Sequence, residues 1–233
     1  MDKETLPAFQ RALDRVSHDP FVRCLVITGS GNTFCGGADF KSGVLDRGDR
    51  PMDQRLLEVY RPFLNVGKLE IPVVAAMNGH AVGGGLGLAL MCDVRVANAH
   101  ARYGANFATL GLHSGMAISY VLPHLIGIAR ANELLLTGKI ITGAEAARMG
   151  LVNYAKEEEE VMDTAMGLAR QMADAAPFAV RMMKQSIRRA LAWAPEGAAR
   201  MESVIQAQTF GMDDSKEGIA ALLEKRKPAF TGE

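Results

Sequence analysis

An α/β fold is predicted for this 233-residue chain by three observations. Twice the sequence runs from an amphipathic helical pattern through a β-branched strand into a glycine-rich loop. The second of these passages, Ile71-Pro72-Val73-Val74-Ala75-Ala76-Met77-Asn78-Gly79-His80-Ala81-Val82-Gly83-Gly84-Gly85, reads as a buried strand delivered into a bare-backbone turn that opens a helix. From Gly115 onward the pattern is almost wholly helical, punctuated by Gly127, Gly138, Gly143, Gly150 and Pro177.

In chain order, residues 6–17 place Leu6, Phe9, Leu13 and Val16 on one helical face. Residues 22–28 read as a strand ending at Gly29, followed by a loop carrying Phe34-Cys35-Gly36-Gly37-Ala38-Asp39-Phe40. The polar segment 42–53, with Gly43, Gly48 and Pro51, is expected to be a mobile surface loop. A helix near 53–67 leads to the long apolar strand. After the glycine triplet, Leu86 to Met91 continue as a helix closing at Cys92-Asp93, before a short strand at 94–97. The glutamates 157–160 mark a helix start, where negative charge complements the helix dipole. Residues 178–193 put Phe178, Met182, Ile187 and Leu191 on one face, with Lys184, Arg188 and Arg189 toward another.

Composition restricts the function classes. With 48% hydrophobic residues the chain can bury a full core, and 26 basic against 26 acidic residues argue against a nucleic-acid or membrane-surface partner. Cys24, Cys35 and Cys92 lack metal-ligand spacing and read as reduced thiols of a cytoplasmic protein; no metal site is expected. The N-terminus has no secretory pattern, and the apolar runs fall short of the roughly 18 residues a membrane span needs.

A turn of bare backbone at a helix start presents unpaired N–H donors, backed by the dipole, to an anion or an oxyanion. Neither glycine cluster is a nucleotide loop. The dinucleotide pattern Gly-x-Gly-x-x-Gly ends on Leu88 in one cluster and on Phe34 in the other, and no phosphate-loop run exists. A nucleophile elbow is also missing, because Gly111-Leu112-His113-Ser114-Gly115 carries its serine one place late.

Four blocks in order carry a resemblance. They are Cys24-Leu25-Val26-Ile27-Thr28-Gly29 into Phe34-Cys35-Gly36-Gly37-Ala38-Asp39; the glycine-triplet block through Cys92-Asp93-Val94-Arg95; Leu134-Leu135-Leu136-Thr137-Gly138 through Ala146 to Val152; and Glu217-Gly218-Ile219 through Glu224 to Phe230. Together they resemble the crotonase, or enoyl-CoA hydratase/isomerase, superfamily. The resemblance implies a spiral of ββα repeats over residues 1–175 and a helical oligomerisation region over 176–233. It implies a lyase or isomerase of acyl-CoA thioesters of the kind used in fatty acid metabolism, with no cofactor beyond the coenzyme A of the substrate. It also implies a homotrimer or a dimer of trimers.

Carried over residue by residue, the family pattern puts two oxyanion-binding amides at Gly36 and Gly84. Ala38, Asp39 and Phe40 fall where the first loop turns around the CoA. Lys227 and Phe230 match the basic-aromatic tail that approaches the CoA adenine of a neighbouring subunit. The departures are equally informative. Family hydratases carry two water-handling glutamates, and the matching positions here are Gly87 and Phe107, with Asn106 where a proline is usual. Neither side chain can supply an acid or a base, so the usual hydratase mechanism is expected to be unavailable. The isomerases of the family are disfavoured by the same substitution at Phe107.

Asn106 and Phe107 remain candidates for acyl contact. His113 is the candidate base by residue type, against a structural alternative as a helix cap. His80, Tyr103 and Tyr120 are weaker candidates, and Asp93 reads as structural. The family's usual leading strand is not represented ahead of the first helix. Three functions stay open: an enoyl-CoA hydratase-like enzyme, a glutamate-independent acyl-CoA decarboxylase or C–C hydrolase, and a non-catalytic CoA-binding or assembly subunit.

Overall fold

The computed structural model describes residues 2, 4–39, 49–191 and 194–232. Phe40 and most of the 42–53 segment lie outside the described residues. Helix α1 (Thr5–His18) precedes β1 (Leu25–Thr28) and β2 (Thr33–Cys35), and α2 (Met52–Lys68) then leads into β3 (Val73–Met77), β4 (His80–Val82) and α3 (Gly84–Met91). Next come β5 (Val94–Asn98), β6 (Arg102–Gly104), a 3-10 turn over Asn106–Leu110, α4 (Ile118–Ile126) and α5 (Ile128–Thr137). The remainder is β7 (Ile140–Thr142), α6 (Gly143–Met149), β8 (Tyr154–Lys156), α7 (Glu158–Asp174), α8 (Pro177–Ala190), α9 (Pro195–Phe210) and α10 (Asp213–Glu224).

Two four-stranded sheets result. One is parallel throughout in the order β1-β3-β5-β8; the other has the order β2-β4-β6-β7, with β7 antiparallel to β6. Three successive pairs, β1–β2, β3–β4 and β5–β6, lay one strand in the first sheet and the next in the second, which is the expected spiral of ββα repeats; β7 then closes the second sheet and β8 the first. Strand β3 is buried at every position. Its period of two sends Val73, Ala75 and Met77 into the main core, while Val74 and Ala76 meet Val161, Ala165 and Ala169 of α7.

The stretch from 71 to 85, expected as one buried strand delivered into the glycine turn, holds two strands in different sheets, β3 and β4. The break falls at Asn78-Gly79. The Asn78 side chain accepts from the Gly29 N–H at 3.0 Å and donates to the Gly31 carbonyl at 2.7 Å, so its polar groups are occupied by the neighbouring loop. A Cβ on Gly79 would overlap the Asn32 backbone. The wholly helical expectation after Gly115 likewise missed β7 and β8. These strands have three residues each, too short for a period to show.

The C-terminal helices are tied to the sheets by polar contacts. Lys184 of α8 donates to Asp93 Oδ2 at 2.5 Å and to the Ile71 carbonyl at 2.6 Å, and the same Asp93 oxygen accepts the Val73 N–H at 2.8 Å. Burial pushes the Lys184 ammonium below its ordinary pKa, and the Asp93 carboxylate opposes that shift. Helix α9 packs on α2 and α4 and buries Ala199, Glu202, Ser203 and Gln206. Helix α10 packs on the 3-10 turn so tightly that a Cβ on Gly218 would stand 2.5 Å from the Leu110 carbonyl carbon.

The tail after α10 is tied back onto that helix. Arg226 pairs with both Glu217 oxygens, at 2.5 and 2.8 Å, and Glu217 Oε1 also accepts the Ala229 N–H at 2.8 Å. Asp214 accepts the Thr231 and Gly232 amides at 2.7 and 2.9 Å. The Arg226 hydrogen bonds, then the Ala229 amide, hold the Glu217 carboxyl down at about 2. A carboxylate depressed in the folded state stabilises above its unfolded value, here 4.5, and loses that effect as pH falls through the folded value. The Ala229 amide resonance should therefore move toward its random-coil position as pH drops below 4.5 toward 2, and should already sit there in Glu217→Gln at pH 7. A spectrum of that variant identical to wild type contradicts the docking.

Candidate active site

Two turns of bare backbone meet at the carboxyl ends of β2 and β4. In the first, Gly37 takes a left-handed φ of 82°. A Cβ there would stand 3.0 Å from the Val82 carbonyl oxygen and 3.2 Å from the Gly84 nitrogen. In the second, Gly83 takes φ 56°, and a Cβ on Gly85 would overlap the Cys35 carbonyl. Only glycine permits this approach. Gly84 is the first residue of α3, so its N–H has no intrahelical acceptor. Among the described residues, no turn, loop or cap hydrogen bond has the Gly36 or the Gly84 amide as its donor. The two turns thus meet at one place.

They open onto a cavity of ≈ 270 Å³. Gly36, Ala38, Gly84, Asn106 and Phe107 all line it, so five of the residues singled out from sequence converge. Asn106 and Phe107 stand over the second turn, with Asn106 Oδ1 and Phe107 Cζ 3.6 and 3.8 Å from where a Cβ on Gly83 would be. The opposite walls are mostly apolar, with Leu56 and Phe63 from α2, Phe210 from α9 and Leu222 from α10. Val82, at the end of β4, closes the side toward the sheets.

Two polar side chains break the apolar wall. The Tyr60 hydroxyl donates to Gln206 Oε1, and Gln206 Nε2 donates to the His113 carbonyl at 2.6 Å. Tyr60 is the one ionisable side chain among the described residues lining the cavity. Burial, and then the nearby Glu202 carboxyl, push its pKa up, so the hydroxyl stays protonated at neutral pH. Behind it, fully buried Glu202 accepts from the amides of Ala117 and Ser119 and from the Ser119 hydroxyl. Burial raises the Glu202 pKa as well, and those hydrogen bonds work against the shift.

Gly84 and Gly87, three apart on α3, form a bare stripe on one helix face. Met116 lies along it. Its Cβ and Cε stand 2.9 and 3.1 Å from where a Cβ on Gly87 would be, and its Sδ 3.1 Å from the same point on Gly84.

The remaining sequence candidates lie elsewhere. His113 and Asp39 do not line the cavity. The His113 ring pairs through Nδ1 with the Ser114 carbonyl at 2.7 Å, while its backbone holds Gln206. Lys227 and Phe230 lie on the tail docked along α10, outside the cavity lining. His80 accepts the Arg102 N–H at 3.0 Å, Tyr103 donates to backbone carbonyls in the core, and Tyr120 accepts the Ala194 N–H at 3.1 Å. Sequence reasoning missed Tyr60, Met116, Glu202 and Gln206. A signal existed for two of them. Glu202 and Gln206 follow Ala199 at the three- and four-residue spacing of a buried helix face.

The model of the enoyl-CoA hydratase/isomerase family matches residues 1–233. The chain belongs to this family. It is 33% identical to the short-chain-enoyl-CoA hydratase of Clostridium acetobutylicum, over 97% of this chain and 87% of that protein. Against the crotonyl-CoA hydratase of Syntrophomonas wolfei the identity is 35%, over 99% and 88%. The crystal structure of an enoyl-CoA hydratase/isomerase from Pseudoalteromonas atlantica T6c is similar with a TM-score of 0.88 and 33% identity, covering 99% of this chain and 90% of that one. No group of side chains that could hold a metal ion occurs among the described residues, and no helix there is long and apolar enough to cross a membrane.

The loop contact yields a direct test within this member of the enoyl-CoA hydratase/isomerase family. Gly85→Ala forces β2 away from α3, an overpacking change that should cost about 2 kcal/mol or more. For a chain of this size that lowers Tm by roughly 4–8 °C. Thermal unfolding checks it, and an unchanged Tm contradicts the backbone-to-backbone packing.

Proposed function

We propose that this protein acts on an acyl-CoA thioester, binding its carbonyl oxygen between the Gly36 and Gly84 amides and stabilising the enolate that forms there. The observation carrying the reading is that Gly36 and Gly84, the latter at the start of α3 with no intrahelical acceptor for its N–H, line one largely apolar cavity. Preorganised donors in a site that excludes water stabilise a developing oxyanion by far more than they would in water. The start of α3 adds its dipole to the same point.

The second half of the reading concerns what the site lacks. The resemblance places hydratase carboxylates at Gly87 and Phe107, and Tyr60 is the single ionisable group on the described cavity wall. A protonated phenol cannot remove a proton from carbon or activate water at neutral pH. The reaction that fits is one whose enolate forms without a base. In loss of CO2 from a malonyl-type thioester, the Cα–carboxylate bond breaks and its electron pair enters the enolate. A proton from solvent then reaches Cα. C–C hydrolysis, which also releases an enolate but needs water activated by a group other than Tyr60, is the second possibility, and a CoA-binding subunit without turnover the remaining one. The names of the relatives favour a further reading, hydration of an enoyl-CoA, so that reaction is the comparison.

Incubation with a panel of enoyl-, malonyl- and β-keto-acyl-CoAs, with products identified by mass, separates these outcomes. Decarboxylated or cleaved product with negligible crotonyl-CoA hydration is expected. Hydration at a rate ordinary for enzymes, on the order of 10 s⁻¹, overturns the base-free reading. Binding of the whole panel without turnover identifies the silent subunit.

Gly84→Pro tests the amide itself. Proline is tolerated at the first helical position; it removes the N–H and puts its ring Cδ where that hydrogen was. Its kcat on the substrate found should fall by about 10²- to 10³-fold. Gly84→Ala, which keeps the N–H and meets the flexible Met116 thioether at 3.1 Å and the Gly37 Cα at an ordinary 3.7 Å, should be far less affected. Equal losses in both variants would remove the amide from the mechanism.

A trimer, or a dimer of trimers, would cover the apolar side chains exposed on α8 and α9, among them Phe178, Ile187, Met201 and Val204.

A further inference from the structure

We infer that Met116 is the residue that selects the acyl group. The inference rests on the acyl-CoA reading above and adds to it the side chain that contacts the reacting carbons.

Three observations carry it. First, Met116 and Ala117 are consecutive non-glycine residues with left-handed φ values of 63° and 60°. That conformation brings the Cβ of an L-residue close to its own backbone and is disfavoured. Strain of this kind persists only where the surroundings over-determine it, and it clusters at ligand sites. Second, the surroundings do over-determine it. Glu202, 0% exposed, accepts the amides on either side of Ile118, from Ala117 and Ser119, and so clamps the turn from behind.

Third, the clamped turn aims the side chain at a particular place. Met116 lines the cavity and is laid along the bare Gly84/Gly87 face of α3, with its sulfur beside Gly84. An acyl carbonyl on the Gly84 amide therefore has its α- and β-carbons against the Met116 thioether. A polarisable apolar wall there favours aliphatic or branched acyl groups of limited bulk. It also fills space that a reacting water would need.

The test measures binding of free CoA and of butyryl-, hexanoyl- and octanoyl-CoA to wild type, Met116→Ala and Met116→Gly by titration calorimetry. Glycine relieves the left-handed strain, so Met116→Gly should remain folded, and circular dichroism verifies this. Removing the side chain opens room for about two methylenes. Relative to free CoA, Met116→Gly should bind the longer acyl group that wild type disfavours about tenfold more tightly, at about 0.8 kcal/mol per methylene. Met116→Ala should fall between.

An unchanged acyl-chain order in both variants, or one gain shared equally by free CoA and every thioester, overturns the inference while leaving the enolate reading standing. Failure of the wild-type protein to bind any of these thioesters removes the acyl-CoA reading and this inference with it.

Discussion

The structure depends on one close approach, that of the Gly36-Gly37 turn to the Gly83-Gly84-Gly85 turn. Backbones come this near only when neither carries a Cβ at the contact, and the cost is conformational entropy that the surrounding core must offset. The offset is visible in β3, buried on both faces between the main core and α7. It is visible again in α3, where every residue from Gly85 to Met91 is buried. A buried apolar frame thus holds both turns at the wall of one cavity. A helix-start amide such as that of Gly84 is tolerable there because it lies beside that cavity.

The cavity also owes its shape to the C-terminal helices. Without α9 and α10, the Gly84 side would face solvent and the wall made by Phe210 and Leu222 would be missing. The polar chain from Tyr60 through Gln206 to the His113 carbonyl joins α2, α9 and the loop before α4 across this interface. Buried polar groups cost stability when unpaired, so such a chain fixes the relative position of the elements it joins. Glu202 does the same for the Met116-Ala117 turn. The site is therefore assembled from residues far apart in sequence.

The alternation of strands and glycine loops and the helix opened by Gly84 were legible in the sequence, because periodicity and glycine clusters are local signals; that Gly36, Ala38, Asn106 and Phe107 belong together came from the family resemblance. The split of the apolar run at Asn78-Gly79 was not, since it depends on where the Asn32 loop passes in space. Met116 was invisible for a related reason. A methionine beside glycine carries no mark of a left-handed backbone, which here is imposed by a glutamate 86 positions later, at 202. Tyr60 carries no mark in the sequence that separates it from its buried neighbours Leu56 and Phe63, and only its Gln206 partner distinguishes it. His113 looked like a catalytic base by residue type alone, yet its backbone makes the contact nearest the cavity.

The central claim is that the Gly36 and Gly84 amides polarise a thioester carbonyl. Difference infrared spectroscopy of an acyl-CoA carrying a ¹³C-labelled thioester carbonyl reads that polarisation directly, without turnover. The account predicts that the carbonyl stretch moves to lower frequency on binding, as two hydrogen bonds lengthen the C=O bond, and that the shift shrinks when the Gly84 N–H is removed. A bound thioester whose carbonyl stretch is the same as in water, or one whose shift survives loss of that N–H, would contradict it.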